Sequence, residues 1–386
     1  MGKNQIERQA SGVIVTQTDY HNYGCIIQKY AMQQWLANHS FYYRSFSFEL
    51  RSLKRILMTS GWLPFRYARA LVRMFKRFIA GKRPLLEIEK RRSVKLTRRF
   101  VKLRIRQERY HARNANRYQT YIVGSDQVWR HWRTPGMDVT RFFLDFVNRP
   151  DARRIAYAAS FGRDNLADAG LAGREEEIRP LLEQFDAISV REASGVAIIK
   201  DTWGLDAAHV LDPTLLLTCA DYSALIDAPT SPLSETKPVF YYMLDMTPAK
   251  MELVAHIANN LKSEAAGICP DESSVFPPVE QWLKGFRDSE FVITDSFHGA
   301  VFCIINRKPF LVIANERRGI TRVTSLLDAL DLEDRMVREE AMRSFDSSSL
   351  GVIDFDAVHA KLDKLRAFSG GWLLAQLKKP TATASP

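Results

Sequence analysis

Short apolar runs alternate with stretches of helical spacing along most of the chain. In the first half, runs rich in β-branched and aromatic residues predict buried strands. They occupy Gly12–Gln17, Phe41–Phe48, Tyr121–Asp126, Arg154–Gly162, Ala187–Val190 and His209–Leu217. After the first run, apolar residues recur at helical spacing from Cys25 to His39, which predicts a helix.

The alternation restarts after a Pro-, Ser- and Thr-rich segment, Asp227–Pro238. Predicted strands follow at Val239–Leu244, Phe291–Ser296 and Pro309–Asn315. Predicted helices occupy Pro248–Leu261, Val279–Phe286, His298–Ile305, Ile320–Leu330 and Phe355–Leu377. Alternating strands and helices predict an α/β fold, with parallel sheets covered on both faces. We expect two Rossmann-like domains facing a cleft, at 1–218 and 219–375, and a disordered tail at 376–386.

Composition supports this division. At about 150 residues per domain, 386 residues favour two domains, and a hydrophobic share of 46% can fill two cores. The four cysteines lie far apart and form no Cys-x-x-Cys pair, which disfavours a zinc site or a disulfide framework. We find no signal-peptide pattern and no apolar run long enough to span a membrane, so we expect a cytoplasmic protein.

Charge is concentrated in one segment. Residues 51–120 contain 22 Lys and Arg but 3 Asp and Glu, a net charge of +19, whereas the whole chain carries +11. We interpret residues from about 51 to 117 as a basic helical insertion in the first domain. Within it, Arg66–Arg83 has the spacing of a basic amphipathic helix. Such a helix binds an anionic membrane surface or packs on the protein with its arginines in water. Nucleic acid is disfavoured, because aromatic residues do not interleave the basic run Lys90–Arg117 in the way that single-strand binders use them.

The loops after predicted strands are the candidate ligand sites, because ligands bind beyond the carboxyl ends of parallel strands. The segment around Ser296, His298 and Gly299 leads from a strand into a helix. Free N–H groups at a helix start bind anions, and His298 can donate a hydrogen bond or a proton. The alternative is an ordinary helix cap beside an uninvolved histidine.

Other strand-end loops add further candidates. Arg191 can hold a carboxylate or phosphate with two hydrogen bonds, or it forms a surface salt bridge with Glu192 or Asp201. Asp126 is a candidate base, or it caps a turn. The remaining candidate contacts are Asn22, Gly24, Ser160, Arg317 and Arg318; for the two arginines the alternative is a solvated charge pair. No glycine-rich dinucleotide motif, Walker A motif or metal-ligand spacing occurs, so we expect neither cofactor nor metal.

Several motifs in order resemble the polysaccharide pyruvyl transferase family. They are NYGCIIQKYAMQQWL, YIVGSDQVW, RIAYAASFG, FDAISVREASG, VLDPTLLL and FVITDSFHGAVFCIINRKPF. The resemblance implies an architecture like that of B-type glycosyltransferases. The family's functional histidine, in Ser-Phe-His-Gly, maps onto His298, and its arginine, in Ser-Val-Arg-Glu, maps onto Arg191. A downstream cationic residue maps onto Arg317 or Arg318.

The resemblance also implies an activity. The family transfers the pyruvyl group of phosphoenolpyruvate to a glycan, commonly as a ketal bridging two sugar hydroxyls. Asp126 is our candidate for activating a hydroxyl. We expect a surface polysaccharide or a lipid-linked oligosaccharide as acceptor, and peripheral attachment to the inner face of the cell membrane through the basic helix. Two alternatives stay open: a nucleotide-sugar glycosyltransferase of the same architecture, and a non-catalytic module that binds glycan or membrane.

Overall fold

The structure is a computed structural model that describes residues 12–17, 19–48, 84–131, 138–270, 276–347 and 350–379. The predicted amphipathic helix Arg66–Arg83 and most of the predicted tail lie outside these ranges. Two parallel sheets, of seven and five strands, dominate the described residues. They confirm the predicted α/β fold with two Rossmann-like domains.

The first sheet has the order β3-β2-β1-β4-β5-β6-β7, and every adjacent pair is parallel. Strands β1 and β4 are apolar and fully buried, as expected for central strands covered by helices on both faces. The strand order reverses between them, which places a crevice at their carboxyl ends. The strands are β1 Gly12–Val15, β2 Arg44–Ser47, β3 Gln107–Arg109, β4 Thr120–Val123, β5 Arg153–Ala159, β6 Ala187–Val190 and β7 Ala208–His209.

The second sheet has the order β12-β11-β10-β8-β9 and is also parallel throughout. Its order reverses between β8 and β10, so a second crevice opens where those two strands end. The strands are β8 Val239–Tyr242, β9 Ala265–Ile268, β10 Phe291–Thr294, β11 Phe310–Ile313 and β12 Met336–Val337.

Helices connect the strands, and several begin at side-chain caps. Asn22 accepts a hydrogen bond from the Cys25 N–H, and Thr247 accepts one from the Lys250 N–H. The helices are α1 Tyr23–Asn38, α2 Pro84–Arg104, α3 Glu175–Leu182, α4 Ala193–Trp203, α5 Cys219–Asp227, α6 Pro248–Asn260, α7 Val279–Asp288, α8 Phe297–Ile305, α9 Thr321–Asp328 and α10 Phe355–Lys378.

Two of our predictions on the first domain need correction. The predicted strand His209–Leu217 is wrong beyond His209, because Pro213–Leu216 forms a 3-10 turn capped by Asp212, which accepts a hydrogen bond from the Thr214 N–H. The basic segment is also not wholly an insertion. Its later part forms α2 and the edge strand β3, which pairs with β2 and completes the sheet.

Apolar contacts join the two domains. Tyr23 of α1 stacks on Trp282 of α7 with ring centroids 5.3 Å apart, and its hydroxyl donates to the Pro277 carbonyl. Burying side chains of this size contributes about 2–3 kcal/mol each. Because Tyr23 follows the first strand-end loop directly, this contact also holds that loop against the second domain.

The last helix, α10, returns to the first domain. Its Ser369 hydroxyl accepts from the Leu211 N–H, and the Arg153 guanidinium of β5 donates to the carbonyls of Gln376 and Leu377. These bonds satisfy carbonyls that a helix end otherwise leaves unpaired. The helix therefore continues to Lys378, past the predicted start of the tail. Among the described helices, none is both long and apolar enough to cross a bilayer.

Candidate active site

A cleft between the two sheets collects loops from the carboxyl ends of five strands. Its cavity, of about 80 Å³, is lined by residues that include Gln17 after β1, Asp126 after β4, Leu244 after β8, His298 after β10 and Asn315 after β11. A site for one water needs roughly 10–15 Å³ on this measure, so the cavity has room for several waters or a small ligand. The two crevices of the fold thus share one cavity.

The turn from β10 into α8 forms one wall. Ser296 is the N-cap residue, yet its side chain makes no capping hydrogen bond, and both Ser296 and Phe297 line the cavity. Gly299 lies one turn further, away from the cavity lining. A Cβ atom there would lie 2.1 Å from Oγ1 of Thr294, so Gly299 allows α8 to pack closely on β10. The N-terminus of α8 is therefore available to an anion.

His298 lies in this wall and is only 7% exposed. Its Nε2 is 4.0 Å from Oδ2 of Asp212 and has no hydrogen-bond partner among the described residues. The pKa of His298 is lowered to about 4, chiefly by burial; Asp212 and Asp126 oppose this shift, and Arg191 and Arg322 add to it. The imidazole is thus neutral near pH 7, with one nitrogen free for a ligand.

Arg191 and Asp212 form a buried ion pair behind His298. Nη1 of Arg191 donates to Oδ2 of Asp212 over 2.8 Å, while Nε and Nη2 of Arg191 are buried without a partner. Oδ1 of Asp212 accepts from the amide and hydroxyl of Thr214. Burial opposes ionisation of Asp212, but Arg191 and His298 outweigh it and hold its pKa below the usual value. The surface salt bridge with Glu192 or Asp201 is therefore the wrong interpretation of Arg191.

Arg322, at the start of α9, was missed by our sequence analysis. It lines the cavity, is 7% exposed, and donates from Nη2 to the Arg318 carbonyl over 2.8 Å. Its Nε has no partner, and no carboxylate among the described residues lies within ion-pair distance. Burial, followed by repulsion from Arg191, lowers the pKa of Arg322 to about 9. The sequence contained one signal for a buried Arg322. It lies four residues before Leu326 and thus on the apolar face of the predicted helix.

Phe297 lies between these two cations. The guanidinium carbon of Arg191 is 4.9 Å from the centroid of the Phe297 ring, and that of Arg322 is 5.8 Å from it. Both distances fall within the range of cation–π attraction. The ring therefore stabilises two guanidinium groups whose charges otherwise repel, and both groups retain unused N–H donors.

The family model described as polysaccharide pyruvyl transferase matches residues 22–317. The chain belongs to the polysaccharide pyruvyl transferase family. The match covers β2 to β11 and the turn that carries His298, and it confirms the family inferred from the motifs. A search of curated proteins finds no match.

Comparison with solved structures finds distant likenesses that cover nearly all of this chain. An O-GlcNAc transferase mutant from Thermobaculum terrenum has 10% identity and a TM-score of 0.42, covering 96% of this chain and 66% of that one. MurG from Acinetobacter baumannii has 8% identity and a TM-score of 0.39, covering 96% and 100%. Os79 from O. sativa has 12% identity and a TM-score of 0.41, covering 95% and 99%. Likenesses this distant carry no argument about substrate.

The structure separates the two candidate arginines after β11. Arg318 lines the cavity and forms two 2.8 Å hydrogen bonds with the carboxylate of Asp245. Arg317 is absent from the cavity lining, and its carbonyl accepts from Arg163 of the first domain. Arg130, which we did not predict, also lines the cavity; burial, then Arg163 and Arg318, lowers its pKa to about 10.

Of the remaining predicted residues, some line the cavity and others do not. Asp126 and Asn22 line the cavity, although Oδ1 of Asp126 accepts from the Gln127 amide and Asn22 caps α1. Gly24 contributes space instead of a contact, because a Cβ atom there would lie 2.1 Å from Nδ1 of His298. Ser160 is fully buried outside the cavity lining and donates to Oε1 of Glu192.

The charge of the cavity favours an anionic ligand. Arg130, Arg318 and Arg322 line it together with Asp126 and Asp295. Asp295 is already engaged, because it accepts from the Leu244 amide and the Lys250 ammonium. Among the described residues, no group of three or more His, Cys, Asp or Glu side chains is placed to hold a metal ion.

Proposed function

We propose that the chain transfers the pyruvyl group of phosphoenolpyruvate onto two hydroxyls of a sugar in a surface polysaccharide or lipid-linked oligosaccharide, forming a ketal and releasing phosphate. The observation that carries the proposal is the pair Arg191 and Arg322, buried with unused N–H donors beside neutral His298. Buried charges normally have partners, so two incompletely paired guanidiniums favour an anion as the missing partner.

Phosphoenolpyruvate suits this arrangement because it carries two anionic groups on a small skeleton. A guanidinium binds a carboxylate or phosphate with two parallel hydrogen bonds, and the N-terminus of α8 favours negative charge. Arg322 and the α8 N-terminus face the cavity directly. We assign the phosphate to them, and we assign the carboxylate to the more open side near Arg130 and Arg318.

The proposed reaction begins when a general acid transfers its proton to the methylene carbon, which becomes the methyl group and leaves a cationic centre at C2. One sugar hydroxyl attacks C2 and loses its proton to a base, for which Asp126 is our candidate. The bond from C2 to the phosphate oxygen then breaks, and phosphate departs. The second hydroxyl attacks C2, loses its proton and closes the ketal. Arg191, Arg322 and His298 stabilise the charge on the departing phosphate.

Binding of the donor also affects His298. In the free protein the imidazole is neutral near pH 7, but an adjacent phosphate dianion favours the imidazolium form. His298 then donates a hydrogen bond to the leaving group. The predicted membrane-binding helix Arg66–Arg83 lies outside the described residues, and its role stays a prediction.

Calorimetry with phosphoenolpyruvate tests the donor site. Arg191→Lys keeps the charge but loses the planar fork, so we expect affinity to fall about tenfold. Arg335→Lys is the matched control, because Arg335 is also buried but bonds the Gly351 carbonyl and pairs with Asp334 instead of contacting Asp212 and Phe297. Equal affinities for both variants and the parent protein would place Arg191 outside the donor site.

Product analysis tests the reaction itself. The protein is incubated with purified surface glycan and either phosphoenolpyruvate or a panel of nucleotide sugars. With phosphoenolpyruvate as donor, we expect phosphate release and a new ketal methyl signal in the glycan's proton NMR spectrum. With the nucleotide sugars we expect neither. Sugar addition from a nucleotide sugar would support the glycosyltransferase alternative, and glycan binding without turnover would support a non-catalytic module.

A further inference from the structure

We propose that the exposed face of α2 is a docking surface for an anionic lipid bilayer. This face, called the α2 basic face here, consists of Lys95, Arg99, Lys102 and Leu103. Its cations recur at intervals of four and three residues, so they form one stripe along the helix. Thr97, Phe100 and Val101 are buried on the other side of α2, so the basic face points outward.

Within the described part of the chain, no ion pair neutralises the charges on this face. Lys95, Arg99 and Lys102 are exposed, and no carboxylate among the described residues forms an ion pair with them. Nor can residues 51–83 supply a carboxylate, because they contain ten Lys and Arg but no Asp or Glu. The basic face is therefore complementary to an anionic partner.

Leu103 favours a bilayer over a nucleic acid as that partner. Its side chain is 59% exposed and lies one helical turn after Arg99. An apolar side chain among cations can enter the boundary of headgroups and acyl chains while the cations bind anionic lipid. Base stacking needs an open aromatic ring instead, and the nearby Tyr20 ring is covered by the Arg98 guanidinium, 4.9 Å from its centroid.

The position of α2 links this face to the cleft. The Thr97 hydroxyl donates to the Tyr20 carbonyl over 2.8 Å, within the loop that runs from β1 to α1. Gln17 and Asn22 of the same loop line the cavity. A protein bound through α2 thus holds the loop that borders its cavity close to the bilayer. Under the proposed function, which this step assumes, that geometry favours a sugar acceptor carried on a lipid.

Vesicle flotation of the full chain tests the surface without donor or acceptor. One set of vesicles consists of phosphatidylcholine alone, and in the other set about one third of the lipid is phosphatidylglycerol. We expect flotation only with phosphatidylglycerol, and less of it at high salt because the attraction is screened. In the triple variant Lys95→Glu, Arg99→Glu and Lys102→Glu, we expect partitioning to fall on the order of 100-fold or more, since each basic residue near such a surface contributes about fivefold.

The matched control makes the same change of charge elsewhere, with Lys262→Glu, Arg343→Glu and Lys364→Glu, all exposed in the structure. We expect it to float like the parent protein. Leu103→Ser should lower partitioning about fivefold, with the loss persisting at high salt. Circular dichroism checks that each variant is folded.

Three results would overturn the proposal: a parent protein that ignores anionic vesicles, an α2 triple variant that floats like the parent, or a control that loses flotation equally. A mobility shift with single-stranded RNA, in the absence of vesicle binding, would assign the face to nucleic acid. Flotation involves no phosphoenolpyruvate and no glycan. A negative flotation result therefore does not contradict the proposed pyruvyl transfer, and a negative transfer assay does not contradict binding to vesicles.

Discussion

Two clusters of buried charge border the same cavity, and they differ in how fully their polar atoms are paired. In the first, Asp295 accepts from the Lys250 ammonium, the Asn315 amide and the backbone amides of Leu244 and Asp245. Lys250 also donates to the Asp245 carbonyl and pairs with Glu339. We call this the paired cluster. It joins the ends of β8, β10 and β11.

The second cluster consists of Arg191, Asp212, His298 and Arg322, and we call it the open cluster. Asp212 is well bonded, but Arg191, His298 and Arg322 each keep at least one buried nitrogen without a partner. The hydrogen bonds of the paired cluster offset much of the cost of removing its charges from water, whereas the unpaired donors of the open cluster leave that cost in place. From this difference we propose that the paired cluster supports the fold and that the open cluster binds a ligand.

The largest expected effect is on the paired cluster. Lys250→Met leaves the Asp295 carboxylate buried without its cation, and breaking a buried ion pair in this way costs about 3–5 kcal/mol. Urea unfolding should show this loss in the free energy of unfolding. A loss below about 1 kcal/mol, the range of exposed ion pairs, would mean that the amide donors alone hold Asp295 and that the two clusters differ less than we infer.

Acid should lower the free energy of unfolding of the protein through His298, a residue of the open cluster. The folded pKa is about 4 against an ordinary value of 6.5, so the unfolded chain binds the proton more tightly. The stability that His298 contributes is present above pH 6.5 and is lost as the pH falls to about 4. The total is roughly 3 kcal/mol at about 1.4 kcal/mol per pH unit. His298→Gln should lack this component, so the difference in unfolding free energy between variant and parent should change across that pH range. A constant difference would contradict the buried neutral histidine.

The same residue should matter for turnover. We expect His298→Asn to lower kcat on the order of 100-fold, the usual contribution of a proton donor or an oxyanion-stabilising group. His359→Asn is the matched control, because His359 of α10 bonds the Ile304 carbonyl and is absent from the cavity lining. If folded His298→Asn has a near-normal kcat, His298 takes no part in turnover and is an uninvolved side chain beside a helix cap.

The smallest expected effect has the opposite sign. Arg322→Met removes a buried cation that has no carboxylate partner, so the free energy of unfolding should rise by about 1–2 kcal/mol. Affinity for phosphoenolpyruvate should fall at least about tenfold in the same variant, as stability and function are commonly opposed at binding sites. The measurements are urea unfolding and calorimetry. If the variant is less stable and its affinity for phosphoenolpyruvate is unchanged, Arg322 supports the fold, as the residues of the paired cluster do, and does not bind the donor.

Sequence reasoning located the strand-end loops well because their pattern is local. The apolar strand Phe291–Thr294 followed at once by a polar turn and an apolar helix identifies the His298 wall without reference to any other segment. The strand Ala187–Val190 was predicted with its observed bounds, and the residue after it is Arg191. His209–Leu217 was predicted wrongly because an apolar run does not by itself distinguish a strand from a 3-10 turn started by Asp212 and Pro213.

The amino-acid sequence alone determined the alternation of elements, the two parallel sheets and the family, since each depends on periodicity, composition or a contiguous motif. Only the tertiary structure decided which arginine faces the cavity, that Asp212 pairs with Arg191, that Gly24 makes room for His298, and that Arg322 reaches Phe297. These contacts join residues from separate elements, and the long-range packing of both domains sets their distances. The energy of an unpaired charge depends on that burial, so it cannot be derived from a one-dimensional pattern.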